Sequence, residues 1–475
     1  MIYPARVPRH SSEVAIVGGG PAGMTTALLL ARTGHHVTIF ERSRELGGLW
    51  ACELDDHGHY RGENSCKVYQ PSYRTAPALF AAIGERWEDH FVARHDLVRD
   101  WLWPFLGDAS ALDLAKLGAS FVRHLGGGNR NESVADYLES HAISERCRAW
   151  MRATALGGVT GTMRMTMGEL FRRLESNVGS IVSGDGGALY WNARPPNARD
   201  GFLRAWTRAL ERSGVTIETG VDIERIEVES GRIRLRARGL DHHADAAHLA
   251  IPPPALARLL GASPTSVAES FGHDRDALDE VLRDSQYAHL GIAWFFDRPL
   301  PRDLPLGGHR VRCGWHPILV QHSQYRAHLR PPAVTVVVGS VSLDTELRHD
   351  RLGTRARDHA HDELARILWD DERRTDPSLP EPIDVTTAGV SSATQIVGHG
   401  PLPLRARGHE IYLATSLNGH AAYFTASLEA AIQAGESAAR AQDPTVRPLL
   451  ATAREAIRPH ARRARPAFAA EAFRR

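Results

Sequence analysis

The chain has 475 residues, 43% hydrophobic and 24% charged, the make-up of an ordinary globular protein with length enough for two or three domains. A net charge of +1 excludes a general electrostatic pull towards nucleic acid. Four cysteines (Cys52, Cys66, Cys147, Cys313) without CxxC or metal-like spacing exclude a zinc or dithiol motif, so free thiols in a reducing cytoplasmic setting are expected. The stretch MIYPARVPRHSSEV lacks an apolar core and no run of about 18 apolar residues occurs, so neither a secretory signal nor an integral membrane span is expected.

In chain order, Val14 to Val17 is a short apolar run suited to a strand buried on both faces. Gly18, Gly20 and Gly23 follow at GxGxxG spacing: the first permits a tight turn, the second lets backbone approach a pyrophosphate, and the third lets helix pack on strand. Pro21 suits a first helical turn, and Ala22 to Ala31 reads as a helix whose N-terminal N–H groups and dipole favour phosphate. A second strand, Val37 to Phe40, ends at Glu41, where a carboxylate can accept hydrogen bonds from a ribose diol. NAD and FAD share this unit, so the acid does not choose between them.

Further along, helices are expected at Ala76 to Gly84, Asp96 to Leu125, Val134 to Leu156 and Met167 to Ser176, with Ser183 to Gly201 as a turn-rich connection. The glycine cluster in HLGGGNRNES follows no β-type run and reads as a loop. A helix over Phe202 to Arg212, a strand over Gly214 to Glu218, a hairpin turning at Ser230–Gly231 and an apolar run from Ala246 to Ile251 come next. Gly291 to Phe296, Ile318 to Gln321 and Val334 to Val341 are strand-like, and Thr354 to Trp369 helical. Ile411 to Ala414 is a last strand, followed by a helix from about Thr425 to Ala441. Val446 to Arg475 carries eight arginines against two glutamates and reads as a basic arm. No HExxH spacing appears, and no metal site is expected.

Three stretches carry a resemblance. ERSRELGGLW places Gly47–Gly48 just after the acid, as the FAD-binding glutathione-reductase-like superfamily often does. The helix, strand, hairpin and strand ending in IPPP is similar to the way the flavin amine oxidase and phytoene desaturase group resumes its FAD domain. SLEAAIQAGESAARA resembles that group's small-residue helix facing the flavin. The resemblance implies an α/β fold, a Rossmann-like FAD-binding domain of glutathione-reductase type interrupted by an α+β substrate domain. It divides the chain into an FAD-binding domain (1–95, 196–262 and 385–442), a substrate domain (96–195 and 263–384) and a basic C-terminal arm (443–475). It implies FAD contacts at Gly18, Gly20, Pro21, Ala22, Gly23, Glu41, Arg42, Gly47, Gly48, Leu49, Trp50, Ile223, Ser416, Asn418, Ser427 and Leu428.

Two departures from the group stand out. Thr415, Ser416 and Leu417 occupy the place of its usual late acid, leaving Ser416 and Asn418 as neutral stand-ins. No lysine follows Lys116, so the group's substrate-domain lysine is absent; Lys67 is the candidate to approach the isoalloxazine, against the plain alternative of a surface lysine. Tyr423 and Phe424 stand where the group sandwiches an amine beside the ring, with core packing as the alternative reading.

The parts inventory then narrows the chemistry. ERSRELGGLW also resembles the start of N-oxygenating flavin monooxygenases, but no second glycine-rich unit for NADPH stands in strand context, and no CxxxxC of a disulfide reductase occurs. What the resemblance implies is an oxidase or dehydrogenase passing a hydride from a C–H of a small amine or amino acid-derived metabolite to flavin N5, in secondary metabolism. Molecular oxygen is the expected acceptor, and a homodimer is compatible with it. A redox-neutral FAD enzyme and a carotenoid-type desaturase stay open.

Overall fold

The computed structural model describes residues 11–96, 98–128, 131–159, 162–182, 189–197, 200–305, 314–393, 400–420 and 427–452. Its first layer is a parallel sheet of five strands in the order Ile411–Leu413, Ala246–Leu249, Glu13–Val17, His36–Glu41, Thr216–Thr219. The apolar runs bury both faces, as parallel strands covered on two sides must. One face takes the helices Pro21–Arg32, Phe202–Arg212 and Leu428–Gln442 through Leu28, Trp206, Leu210 and Ile432. The other takes an antiparallel meander (Arg225–Glu229, Arg232–Ala237, Leu240–Ala244) through Ile226, Ile233 and Leu235. Ser230 and Gly231 both have positive φ (51° and 80°), as a two-residue hairpin turn of the type I′ class requires.

The opening strand lies between Ala246–Leu249 and His36–Glu41. The chain order reverses at that point, and in such sheets the crevice beyond the strands' carboxyl ends is where ligands bind. Gly18 to Gly20 stand at that end.

The second sheet is antiparallel, in the order Ile318–Gln321, Thr335–Ser342, Gln286–Phe296, Asp384–Ala393. Side chains alternate along its longest strand. Leu290, Ile292, Trp294 and Phe296 pack with Trp369 and Leu368 of the helix His361–Thr375, while Ala293 and Phe295 pack against Tyr60 of a hairpin (Cys52–Leu54, Tyr60–Glu63) belonging to the first part of the chain. A helical lobe, from Trp103–Asp108 to Met167–Val182, closes on Leu117, Tyr137, Met151 and Phe171.

Several expectations are corrected. The stretch expected as one helix from Asp96 to Leu125 is broken, because Ser110 and Asp113 form a capping box that starts a new helix at Ala111. Ser144 restarts the next stretch by accepting from the Cys147 N–H, giving Val134–Ser140 and Glu145–Ala153. Leu189–Ala193, expected within a turn-rich connection, is a strand paired with Phe91–Asp96, a long-range partner that local composition cannot reveal. The strand Asp384–Ala393 pairs along its whole length with Gln286–Phe296 and carries the second sheet on to residue 393. Of the expected basic arm, Val446 and Leu449 are buried in the core of the first layer, while 453–475 lie outside the described residues.

First and last helices cross where Gly435 meets Ala22. A side-chain carbon on Gly435 would lie 2.3 Å from the Ala22 carbonyl oxygen and 2.9 Å from Thr25 Cβ, and the Thr26 hydroxyl donates to the Gly435 carbonyl at 3.1 Å. Gly435→Ala is therefore expected to lower stability by about 1–3 kcal/mol through overpacking, even against the ~1 kcal/mol that alanine offers a helix. Urea unfolding measures it.

His248, fully buried on the parallel sheet, stacks on Tyr412 (4.7 Å between centroids) and contacts Gln442 Oε1 through Nε2; burial pulls its pKa down to about 4. The unfolded imidazole takes up a proton near its ordinary pKa of about 6.5 and the folded one refuses it. Stability should thus fall as pH drops from about 6.5 towards 4, by up to ~1.4 kcal/mol per pH unit from this residue. In His248→Gln that part of the slope should vanish from a thermal-unfolding series.

Candidate functional site

The glycine turn is built by close approach. Gly18 has φ +103°, its N–H donates to the Phe40 carbonyl at 2.9 Å, and a side-chain carbon there would lie 2.5 Å from the Ala250 carbonyl oxygen. A carbon on Gly23 would lie 2.0 Å from the Gly18 carbonyl oxygen. Gly20 is the N-cap of the first helix, with Pro21 next, no side-chain cap and no acid in the first turn. No side chain of its own first turn therefore offsets the N-terminal dipole. Ala22 is half-buried behind it.

Gly47 and Gly48 have φ of +126° and +53°, and the Gly47 N–H donates to the Gly19 carbonyl at 2.8 Å. The pair thereby sits against the helix start: a carbon on Gly48 would lie 3.1 Å from Gly20 Cα, while one on Gly20 would meet only Gly48 Cα, at 4.0 Å. Leu49 and Trp50 are half-buried, Trp50 packing on the core, and Arg42 is exposed.

Glu41 is 7% exposed and braces the cradle. Its Oε2 accepts from the Gly19 N–H at 2.7 Å and its Oε1 from the Ser43 N–H at 2.8 Å. Its own carbonyl accepts from Val221 N–H, which draws the 221–223 segment alongside. Ile223 is buried between the sheet and the meander.

At the far end of the sheet, Thr415 Oγ1 accepts from Leu417 N–H, and the Asn418 amide closes its own turn, donating to the Leu413 carbonyl at 3.3 Å and accepting from His420 N–H at 3.0 Å. Ser416 is half-buried on that turn. Ser427 caps the last helix by accepting from Ala430 N–H at 3.0 Å, and Leu428 is buried. Tyr423 and Phe424 lie outside the described residues.

Sequence reasoning missed Glu429. Fully buried in the first turn of the last helix, its carboxylate accepts from the N–H groups of Arg74 (3.1 Å), Thr75 (2.6 Å) and Ala76 (2.8 Å). It thus caps the helix Thr75–Ala82 from a different element. The signal in the sequence, an acid two residues after a capping serine, says only that a helix begins.

Lys67 is not a surface lysine. Its side chain is 10% exposed, its Nζ donates to the Ser65 carbonyl at 3.2 Å and lies 3.9 Å from Glu63 Oε2. Burial pulls the lysine pKa down and pushes that of Glu63 up, while each partner's charge opposes the shift in the other. Glu63 Oε1 accepts from the Tyr325 hydroxyl at 3.2 Å. Burial likewise pushes the Cys66 thiol up to about 12, which excludes a ready thiolate. Across this turn runs the longest strand of the second sheet: a carbon on Gly291 would lie 2.4 Å from the Glu63 carbonyl oxygen, and His289, on the same face, is held down to about 4 by burial and by the neighbouring Lys67. The structure therefore brings the 18–23, 41, 47–48 and 221–223 residues into one cradle, and places Lys67 at the junction with the second sheet.

Residues 16–83 match the family model described as an NAD(P)-binding Rossmann-like domain. Among curated proteins, the chain is similar to the flavin-containing monooxygenase FMO GS-OX-like 6 of Arabidopsis thaliana, 55% identical over 42 residues. It spans 9% of that relative's length, and the match takes in 9% of this chain. Among solved structures, it resembles cyclohexylamine oxidase from Brevibacterium oxydans IH-35A (TM-score 0.60, 15% identity, 94% of this chain and 99% of the other). It also resembles putrescine oxidase bound to putrescine (TM-score 0.61, 14% identity, 91% and 99%). At such identities the likeness is one of fold, and it runs through both sheets.

Glu429→Ala leaves three N–H groups, two of them buried, without their acceptor. The expected loss is at least about 2 kcal/mol in urea unfolding, with faster hydrogen exchange confined to the peptide carrying residues 74–80.

Proposed function

We propose that the chain is an FAD-dependent oxidoreductase of the amine-oxidase type, acting on a small amine or amino acid-derived metabolite, with molecular oxygen as the electron acceptor. The observation that carries this reading is the glycine pair Gly47–Gly48 held against the uncapped start of the first helix. Side chains are missing on both sides of that gap, and backbone there can come close to a diphosphate. The fold shared with two amine oxidases over nine-tenths of the chain or more supports the substrate class, and their being oxidases supports oxygen.

The residues fit the cofactor. Each Glu41 oxygen accepts one backbone N–H, and a carboxylate has about four acceptor positions, so lone pairs remain for a ribose diol. The first helix turns its N-terminus to the diphosphate, and the 221–223 backbone lies at hand for an adenine. Bound FAD would supply a hydride acceptor at flavin N5 for a substrate C–H beside nitrogen. The chain's part is positioning and electrostatics: the last helix brings its positive end, and the Glu63–Lys67 turn stands between the cradle and the second sheet. Tyr423 and Phe424 are proposed to flank the amine.

Purified, reconstituted protein should be yellow, and anaerobic mixing with a panel of amines should bleach the flavin band without added reductant. Colourless protein, or a band that only chemical reductant bleaches, would overturn the reading. Glu41→Ala removes both the brace and the ribose partner, worth on the order of 2–3 kcal/mol, so FAD should bind roughly 30- to 150-fold more weakly. Titrating FAD into apoprotein and following flavin fluorescence tests this.

A further inference from the structure

At the junction of the hairpin and the second sheet, four buried polar atoms have hydrogen-bonding capacity left over among the described residues: Glu63 Oε2, the Tyr60 hydroxyl and both ring nitrogens of His289. The Asn64 backbone lies near the imidazole without making a well-formed hydrogen bond, and the Tyr287 ring packs beside it with centroids 5.7 Å apart. Lys67 spends one of its three N–H donors on the Ser65 carbonyl, and its distance of 3.9 Å from Glu63 Oε2 is an ion pair without a direct hydrogen bond. Native interiors rarely leave polar groups so incompletely used. The spare capacity comes from two elements that converge, since the close passage at Gly291 sets His289 on the strand face that looks onto residues 63 and 64.

We propose that this cluster receives the head of an amino acid-type zwitterion, Glu63 taking the ammonium group and Lys67 the carboxylate. The reason is charge balance. A lone ammonium would be drawn to Glu63 and repelled by Lys67 from nearly the same place, and a lone carboxylate would meet the reverse. A molecule carrying both charges side by side is attracted by both residues, and away from water neither term is screened out. His289, neutral through the physiological range, adds no charge to either side and offers one donor and one acceptor. The inference rests on the amine-oxidising reading above, in which the carbon beside the ammonium nitrogen is the hydride donor. It narrows the substrate to one whose reacting carbon lies between an amine and a carboxylate.

Three probes of one skeleton separate the charges: 2-aminoisobutyrate carries both, tert-butylamine the ammonium only, pivalate the carboxylate only. None has a hydrogen on the carbon that would react, so holoprotein binds them without turnover. Binding is read from the perturbed flavin spectrum and from the thermal midpoint. We expect 2-aminoisobutyrate to bind at least about tenfold more tightly than either of the others. That preference should disappear in the double variant Glu63→Gln/Lys67→Met, which leaves no uncompensated buried charge. Equal binding of tert-butylamine, absence of binding by all three, or a preference that survives in the double variant would overturn the inference. Colourless protein would sink the FAD reading separately, and the thermal midpoint would still rank the three probes.

Discussion

Everything in the first layer turns on two helices lying closer than side chains ordinarily permit. Where Gly435 passes Ala22, a single added carbon would lie 2.3 Å from a carbonyl oxygen, so the crossing exists only because one partner has no side chain. Thr26 then spans the crossing by donating to the Gly435 carbonyl. The consequence reaches well beyond local packing. The first helix begins at the glycine turn and the last begins at Ser427, more than four hundred residues later, and the crossing fixes how those two N-termini stand to one another. Helices held this rigidly transmit position, because close-packed interiors yield little.

Acids do the remaining joinery, and at two of the three junctions backbone N–H groups are their partners. Glu41 ties the glycine turn to the end of the second strand. Glu429 ties the last helix to the start of Thr75–Ala82. Glu63 sits at the third junction with Tyr325 and Lys67. Glu41 and Glu429 are buried where backbone donors converge, which is the condition under which burying a carboxylate is tolerable. The segment from Gly47 to Thr75 is consequently held at both ends, with the second sheet laid over its middle at Gly291. A polar turn so confined is better suited to specific recognition than a solvated loop would be.

Much of the cradle was legible in the chain, and for a definite reason. A strand, glycine turn, helix, strand and acid are contiguous in sequence and contiguous in space, so spacing alone conveys geometry. The small-residue helix over 428–441 was legible too, although its meaning was not: the same run of alanine and glycine serves a loose surface helix equally well. Elements whose partners lie far along the chain were the ones misread. Leu189–Ala193, expected within a turn-rich connection, becomes a strand only because Phe91–Asp96 is beside it. Breaks inside helical stretches depended on capping by Ser110 and Ser144, which periodicity averages over.

The sequence by itself determined the local conformations: which runs are strand or helix, where backbone must bend at Gly18, Gly47 and Gly231, and that a phosphate-friendly helix start follows the opening strand. Those are properties of a few consecutive residues, set by dihedral preference and apolar spacing. Only the tertiary structure decided what the charged residues do. Lys67 in the sequence is one of two lysines beside 55 arginines; in the fold it is a buried cation 3.9 Å from a buried carboxylate with a neutral imidazole beside it. Burial and pairing are settled by what arrives from elsewhere in the chain, and no spacing rule reaches across the more than two hundred residues between Lys67 and His289.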